Sequence, residues 1–189
     1  MADERGALLR TLAKIAEALD AVGVEYMVTG SVAAGFFSLP RTSADIDVVI
    51  DAKDSDRPFL TKVLTEDFLA DPDMIKNAFA TRSMFNVIDE REGPKIDLIF
   101  LDRSSNPGPV LERRREIEIE GTMVKIISPE DLIIAKLLWA KDSRPEMQFR
   151  DVHGLLHYRT LDEVYVRDTA AQLGLLELLE EARGERYAT

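Results

Sequence analysis

Apolar residues near the start of the chain recur with a helical period. Leu8, Leu12, Ile15, Leu19 and Val22 fall at alternating spacings of four and three. One apolar stripe of this kind predicts a helix over residues 4–22, with Gly23 placed to stop it. The pattern then shortens: "VEYMVTG" (24–30) predicts a strand, "SVAAGFFSL" (31–39) a short helix closed by Pro40, and "DIDVVI" (45–50) a second strand. A helix over roughly 55–68 follows. "SMFNVI" (83–88) and "KIDLIFL" (95–101) predict strands, and the turn-rich "DEREGP" between them predicts a hairpin. "SSNPGP" (104–109) reads as a loop, and "EIEIEGTMVKII" (116–127) as a second hairpin turning at Gly121. From Ser128 the period is helical again. Ser128 is a candidate N-cap, Pro129 sits at the first helical position, and Asp131 three residues after the cap is most simply a capping partner. Further helices are expected near 146–157, 161–173 and 175–183.

This order of elements predicts an α+β fold: a mixed β-sheet flanked by helices, followed by a helical C-terminal part. The expected division is a core over residues 1–127 and a helical subdomain over 128–189 packed on it, with no repeat and no flexible linker. The chain's 189 residues suffice for one ordinary core and a smaller appendage. The absence of cysteine excludes disulfides and thiolate metal sites. No apolar run approaches a membrane span and the first residues lack a signal-peptide core, so a soluble cytoplasmic protein is expected. A net charge of −11 argues against coating nucleic acid by general phosphate neutralisation. The one dense basic run, "ERRRE" (112–116), reads as a solvated face.

The chemistry concentrates in "TGSVAAGFFSLPRTSADIDVVID", residues 29–51. On a strand, alternate side chains share a face, so Asp45 and Asp47 point one way while Ile46, Val48 and Ile50 point the other. Their Cα atoms stand about 6.6 Å apart, two rises of the strand. Like charges that close disfavour each other's ionised form, and a hard divalent cation such as Mg²⁺ or Mn²⁺ relieves the repulsion. An Asp-x-Asp triplet is also common on solvated edge strands. Two features add to it. Gly30-Ser31 lies between a predicted strand and a predicted helix, where glycine admits close approach of a phosphate and helix-start N–H groups bind anions; Ser31 is equally a helix N-cap. Asp97 is the lone acid in an otherwise apolar strand, costly there unless paired or metal-bound; a bond from a backbone amide would also satisfy it.

Together these residues resemble the nucleotidyltransferase superfamily (DNA polymerase β-like): Gly-Ser, thirteen residues, Asp-x-Asp, then a third acid on a later strand. Arg41, Ser43, Asp45 and Asp47 resemble the R-x-T-x-D-x-D pattern of the AbiEii-type nucleotidyltransferases of toxin–antitoxin and phage-defence systems, with Ser43 in the usual Thr place. "SPEDLIIAKLLWAKD…FRDVHGLL" is similar to the helical part of that group. The resemblance implies that Asp45, Asp47 and Asp97 clamp two metal ions, Mg²⁺ or Mn²⁺, around a transferring phosphoryl centre. Asp97 would also serve as the base for the acceptor. It implies nucleotide contacts from Gly30, Ser31, Arg41, Ser43 and Lys136. It implies transfer of a nucleoside monophosphate from a nucleoside triphosphate to a hydroxyl of an RNA end (a tRNA end among them), a partner protein or a small molecule, with a toxin or antitoxin as a possible partner. A non-catalytic nucleotide- or partner-binding module of the same fold is the alternative. A D-x-D glycosyltransferase is a further one, though Gly30-Ser31 and Asp97 would be superfluous to it.

Outside that cluster, Lys136 falls inside the apolar stripe of Leu132, Ile133, Leu137 and Ala140. It grips an anion, pairs internally with Asp151, or snorkels to solvent. Asp151 reads as structural support, His153 and His157 as ordinary helix residues, and Trp139 as core or interface.

Overall fold

The computed structural model describes residues 2–38, 45–102 and 109–187. The chain divides into two compact units: Met1–Thr29 with Thr42–Ile126, and Gly30–Arg41 with Ile127–Thr189.

The first unit is built on a six-stranded mixed sheet. Its strands are β1 (Glu25–Thr29), β2 (Asp45–Asp51), β3 (Phe85–Ile88), β4 (Lys95–Phe100), β5 (Arg115–Ile119) and β6 (Thr122–Ile126), in the order β3-β4-β2-β1-β6-β5. β1 runs antiparallel to β2 and parallel to β6, and β2 runs parallel to β4. The two predicted hairpins form as β3–β4 and β5–β6. The β5–β6 turn places both Glu120 (φ 51°) and Gly121 (φ 83°) in the left-handed region, the geometry that matches the twist of a two-residue hairpin. One face of the sheet is dry: Tyr26, Val28, Ile46, Val48, Ile50, Ile96, Leu98, Phe85 and Val87 are buried. α1 (Ala2–Ala21) brings Leu12, Ile15 and Leu19 to this core, all buried as its stripe predicts.

After β2, α3 (Arg57–Asp67) and α4 (Pro72–Thr81) follow. α4 lies in a segment to which the sequence analysis assigns no element. Asp71 caps it by accepting from the N–H groups of Asp73 and Met74, Pro72 opens it, and Ile75, Ala78 and Phe79 form its buried face. Phe79 meets Phe100 of β4 edge-to-face at 4.9 Å between centroids.

α1 is fastened to the β3–β4 turn through a buried acid. Asp89, fully buried, accepts from Thr11 Oγ1 (3.3 Å), Lys14 Nζ (3.0 Å) and the Arg91 N–H (3.2 Å). Burial alone would push the Asp89 carboxyl up, but the bonds from Lys14 and the backbone outweigh it and leave it below the ordinary value. The basic run is not wholly solvated, contrary to expectation: Arg114 donates to the Tyr26 carbonyl (2.8 Å) and pairs with Glu25 (2.6 Å).

The second unit is helical: α2 (Gly30–Phe37), α5 (Pro129–Ser143), α6 (Glu146–Leu156), α7 (Glu163–Gln172), α8 (Leu176–Ala182) and a final turn over Glu185–Tyr187. α2, which lies between two strands of the sheet in sequence, is grouped with the C-terminal helices. Phe37 of α2 stacks edge-on against Tyr158, and Gly154 of α6 lies so close to Ser38 that an added Cβ would collide with it. Ser128 caps α5 as expected, accepting from the Asp131 N–H and donating to Asp131 Oδ2 at 2.7 Å. The other carboxylate oxygen of Asp131 accepts from the Tyr165 hydroxyl, and Glu130 accepts from the Asp162 N–H, so these two buried acids tether α7 to α5. Among the described residues no helix is long and apolar enough to cross a membrane.

Candidate active site

Asp45 opens β2, and the strand alternates as its sequence requires: Ile46, Val48 and Ile50 are buried while Asp45 and Asp47 lie on the opposite, wetter face. β4 continues that face. Parallel pairing sets Asp47 directly across from Asp97 and Asp45 directly across from Lys95. Residues opposite one another in a ladder share a face, so all three acids and Lys95 stand on one side of two adjacent strands. Neighbouring strands lie ~4.8 Å apart. Two bare carboxylates at ~5 Å repel by about 3 kcal/mol at an effective dielectric of ~20. The arrangement therefore calls for positive charge.

Lys95 supplies it. Its Nζ lies 3.0 Å from Asp97 Oδ2 and 3.6 Å from Asp45 Oδ2. The hydrogen bond to Asp97, helped by the charges of Asp97 and Asp45, lifts the Lys95 ammonium above its ordinary pKa despite some desolvation. Lys95 has no role in the sequence analysis. The signal for it was nonetheless there: a base two residues before Asp97 on an alternating strand must share that acid's face.

The acids differ in exposure. The Asp45 side chain is half exposed and that of Asp97 nearly buried. Asp97 Oδ1 is buried and accepts no hydrogen bond, an unsatisfied acceptor beside a charged neighbour. Oxygen donors of this kind suit a hard divalent cation. Among the described residues, however, no group of three or more acids or imidazoles forms a ready-made metal cage. The register brings the three positions together, while the cation actually held between Asp45 and Asp97 is the lysine's own.

The other residues singled out by sequence fall in different places. Arg41 and Ser43 lie outside the described residues. Gly30 and Ser31 open α2 in the helical unit, and Gly30 has φ +68°, a conformation strained for any residue with a Cβ. Lys136, also in the helical unit, does not snorkel: it is 5% exposed, pairs with Asp151 Oδ2 at 2.7 Å and donates to Gln148 Oε1 at 3.2 Å. His153 bonds the Ala182 carbonyl at the end of α8 and His157 bonds the carbonyl of His153, so both serve the packing and ends of helices. Trp139, expected in the core or an interface, is 77% exposed and so is not a core residue.

Comparison with known proteins bears on the fold and the family. The family described as "Nucleotidyl transferase of unknown function (DUF2204)" matches residues 8–174. No curated protein matches the sequence. Among solved structures, the chain is similar to an antigenic nucleotidyltransferase-like protein from Paracoccidioides brasiliensis (TM-score 0.55, 21% identity, over 92% of this chain and 91% of that one). It is similar to the antibiotic-resistance factor ANT(2″)-Ia (TM-score 0.50, 17% identity, 98% and 95%). It is also similar to the lincosamide antibiotic adenylyltransferase LnuA with lincomycin bound (TM-score 0.50, 15% identity, 76% and 93%). These likenesses establish a nucleotidyltransferase-like α+β fold.

Proposed function

This chain belongs to the nucleotidyl transferase family DUF2204 and is a transferase enzyme with a nucleotide substrate, and from that premise we propose that it moves a nucleoside monophosphate from a nucleoside triphosphate onto an acceptor hydroxyl. The acceptor oxygen attacks the α-phosphorus, the bond to the bridging oxygen breaks, and pyrophosphate leaves. The acceptor's proton passes to Asp97. Asp45, Asp47 and Asp97 would hold Mg²⁺ or Mn²⁺. When bound, the cations would neutralise charge on the transferring phosphoryl group and acidify the attacking hydroxyl.

The observation that carries this reading is the ladder register that sets Asp97 across from Asp47 on the face shared with Asp45. Gly30, Ser31, Arg41 and Ser43 are the residues we assign to the triphosphate, on the strength of the sequence pattern. Lys136 joins them only through the one N–H it keeps beyond Asp151 and Gln148. Membership of the AbiEii-type group, and with it a toxin or antitoxin partner, rests on the Arg41-Thr42-Ser43-Ala44-Asp45-Ile46-Asp47 pattern. The acceptor classes are an RNA end, a partner protein's hydroxyl, and a small polyhydroxylated molecule; the adenylyltransferase neighbours give the last class its precedent on this fold. Incubation of the protein and Mg²⁺ or Mn²⁺ with each α-phosphate-labelled triphosphate, against tRNA, lysate protein and an aminoglycoside and lincosamide panel, tests the proposal. Label appears in one acceptor class if it holds. Nucleotide binding without label transfer to any acceptor would assign the chain to the non-catalytic alternative.

A further inference from the structure

The pairing of Lys95 with two of the proposed metal ligands leads beyond the assignment of the acids. We infer that Lys95 is a built-in competitor of the divalent cation, an internal ammonium that holds Asp45 and Asp97 together and must be displaced before a metal ion can take both carboxylates. The inference rests on the metal reading proposed above.

Three observations support it. Lys95 reaches the acids from within the same two-strand face: it lies across the ladder from Asp45 and two residues before Asp97. Its Nζ sits between Oδ2 of each, at 3.0 and 3.6 Å, the position a cation bridging those two oxygens would take. A lysine ammonium and a metal ion cannot both occupy that space. The third observation concerns the ease of exchange. The Lys95 side chain is 36% exposed, so it can swing to solvent without uncovering a core. The buried pair Lys136–Asp151 in the helical unit, at 5% and 9% exposure, lacks that freedom. Asp97 Oδ1 meanwhile accepts no hydrogen bond. The device keeps closely spaced acids compatible with a folded metal-free protein and makes metal binding conditional on moving one side chain.

The test is binding of Mn²⁺ alone, followed through the paramagnetic resonance signal of the free ion. The proteins are wild type, Lys95→Met, Lys95→Gln, Lys95→Arg, and the double variant Lys95→Met with Asp97→Asn. Methionine keeps the length of the lysine stem without its charge, and glutamine gives a second neutral variant should methionine impair folding. Losing one charge-assisted hydrogen bond and its Coulomb attraction should tighten Mn²⁺ binding about tenfold in both neutral variants. Lys95→Arg should stay within about threefold of wild type, and Asp97→Asn should erase the gain. Equal affinity in wild type and both neutral variants overturns the inference and leaves the metal reading standing. A gain that survives Asp97→Asn overturns it too, because the competition would then lie elsewhere. Absence of Mn²⁺ binding in every protein, even with ATP added, overturns the metal reading and the inference with it.

Discussion

Replacing Lys136 by methionine separates two roles for a buried lysine. Its ammonium is 2.7 Å from Asp151 Oδ2, and the two side chains are 5% and 9% exposed. At that burial the pair is screened little by solvent. Removing one partner leaves a carboxylate with its main counter-charge gone, a loss that costs about 3–5 kcal/mol in comparable buried pairs. Gln148 already shares the lysine rather than the acid, so it does not compensate Asp151. We take about 3 kcal/mol as the expected loss, which for a chain of this size lowers the melting temperature by about 6–12 °C. Asp151→Asn should cost less, and the double variant should recover part of the loss, giving a coupling energy of about 2 kcal/mol or more. Urea unfolding of the four proteins measures this. Single losses below about 1 kcal/mol that add within ~0.5 kcal/mol in the double variant would refute the buried-pair reasoning. Nucleotide titration on the same samples decides the second role. Affinity unchanged in Lys136→Met assigns the lysine to the helical unit's packing alone, whereas a tenfold loss keeps it among the phosphate ligands.

Other outcomes follow from particular residues. Asp89 is held below its ordinary pKa in the folded chain, so its contribution is full above the unfolded value of about 3.9 and is lost as pH falls through the folded one; Asp89→Asn should flatten the acid limb of a stability–pH curve and cost about 1.5–3 kcal/mol at neutral pH. Gly121→Ala forces a Cβ into the left-handed region at φ 83° and should lower stability by about 1–2 kcal/mol in chemical unfolding, while Glu120→Asn should raise it slightly. Trp139 is the only tryptophan and is 77% exposed, so native fluorescence should already be that of a water-exposed indole, and Trp139→Ala should change stability by no more than about 0.5 kcal/mol.

The parts of this structure that could be read in advance are those fixed by local period. The Leu12, Ile15 and Leu19 stripe, the alternation in "DIDVVID", the Glu120-Gly121 turn and the Ser128 cap each depend on residues a few positions apart, and each forms as its spacing requires. α4 carried comparable signals in Asp71, Pro72 and the Ile75, Ala78 and Phe79 stripe, but it is short and follows directly on another short helix, so its segment reads as connection rather than as an element. Strand order was not legible, because pairing β2 with β4 joins segments fifty residues apart and no local pattern encodes it. The grouping of α2 with α5 and α6 escaped for the same reason. For the site, the acids stood out because charge on an apolar strand is costly. Lys95 did not, since a lysine at a strand's first residue looks like ordinary solvated surface until the ladder register sets Asp45 across from it.

If Asp45, Asp47 and Asp97 form one catalytic cluster for nucleotidyl transfer, as proposed, transfer depends on each of them. The most direct measurement is label transfer from an α-phosphate-labelled triphosphate, at saturating Mg²⁺ and nucleotide, by wild type, Asp47→Asn and Asp97→Asn, with circular dichroism confirming that each variant is folded. Wild type should transfer label, and each variant should lose on the order of a hundredfold or more of that transfer. Transfer that persists undiminished in a folded Asp47→Asn or Asp97→Asn protein would contradict the proposal.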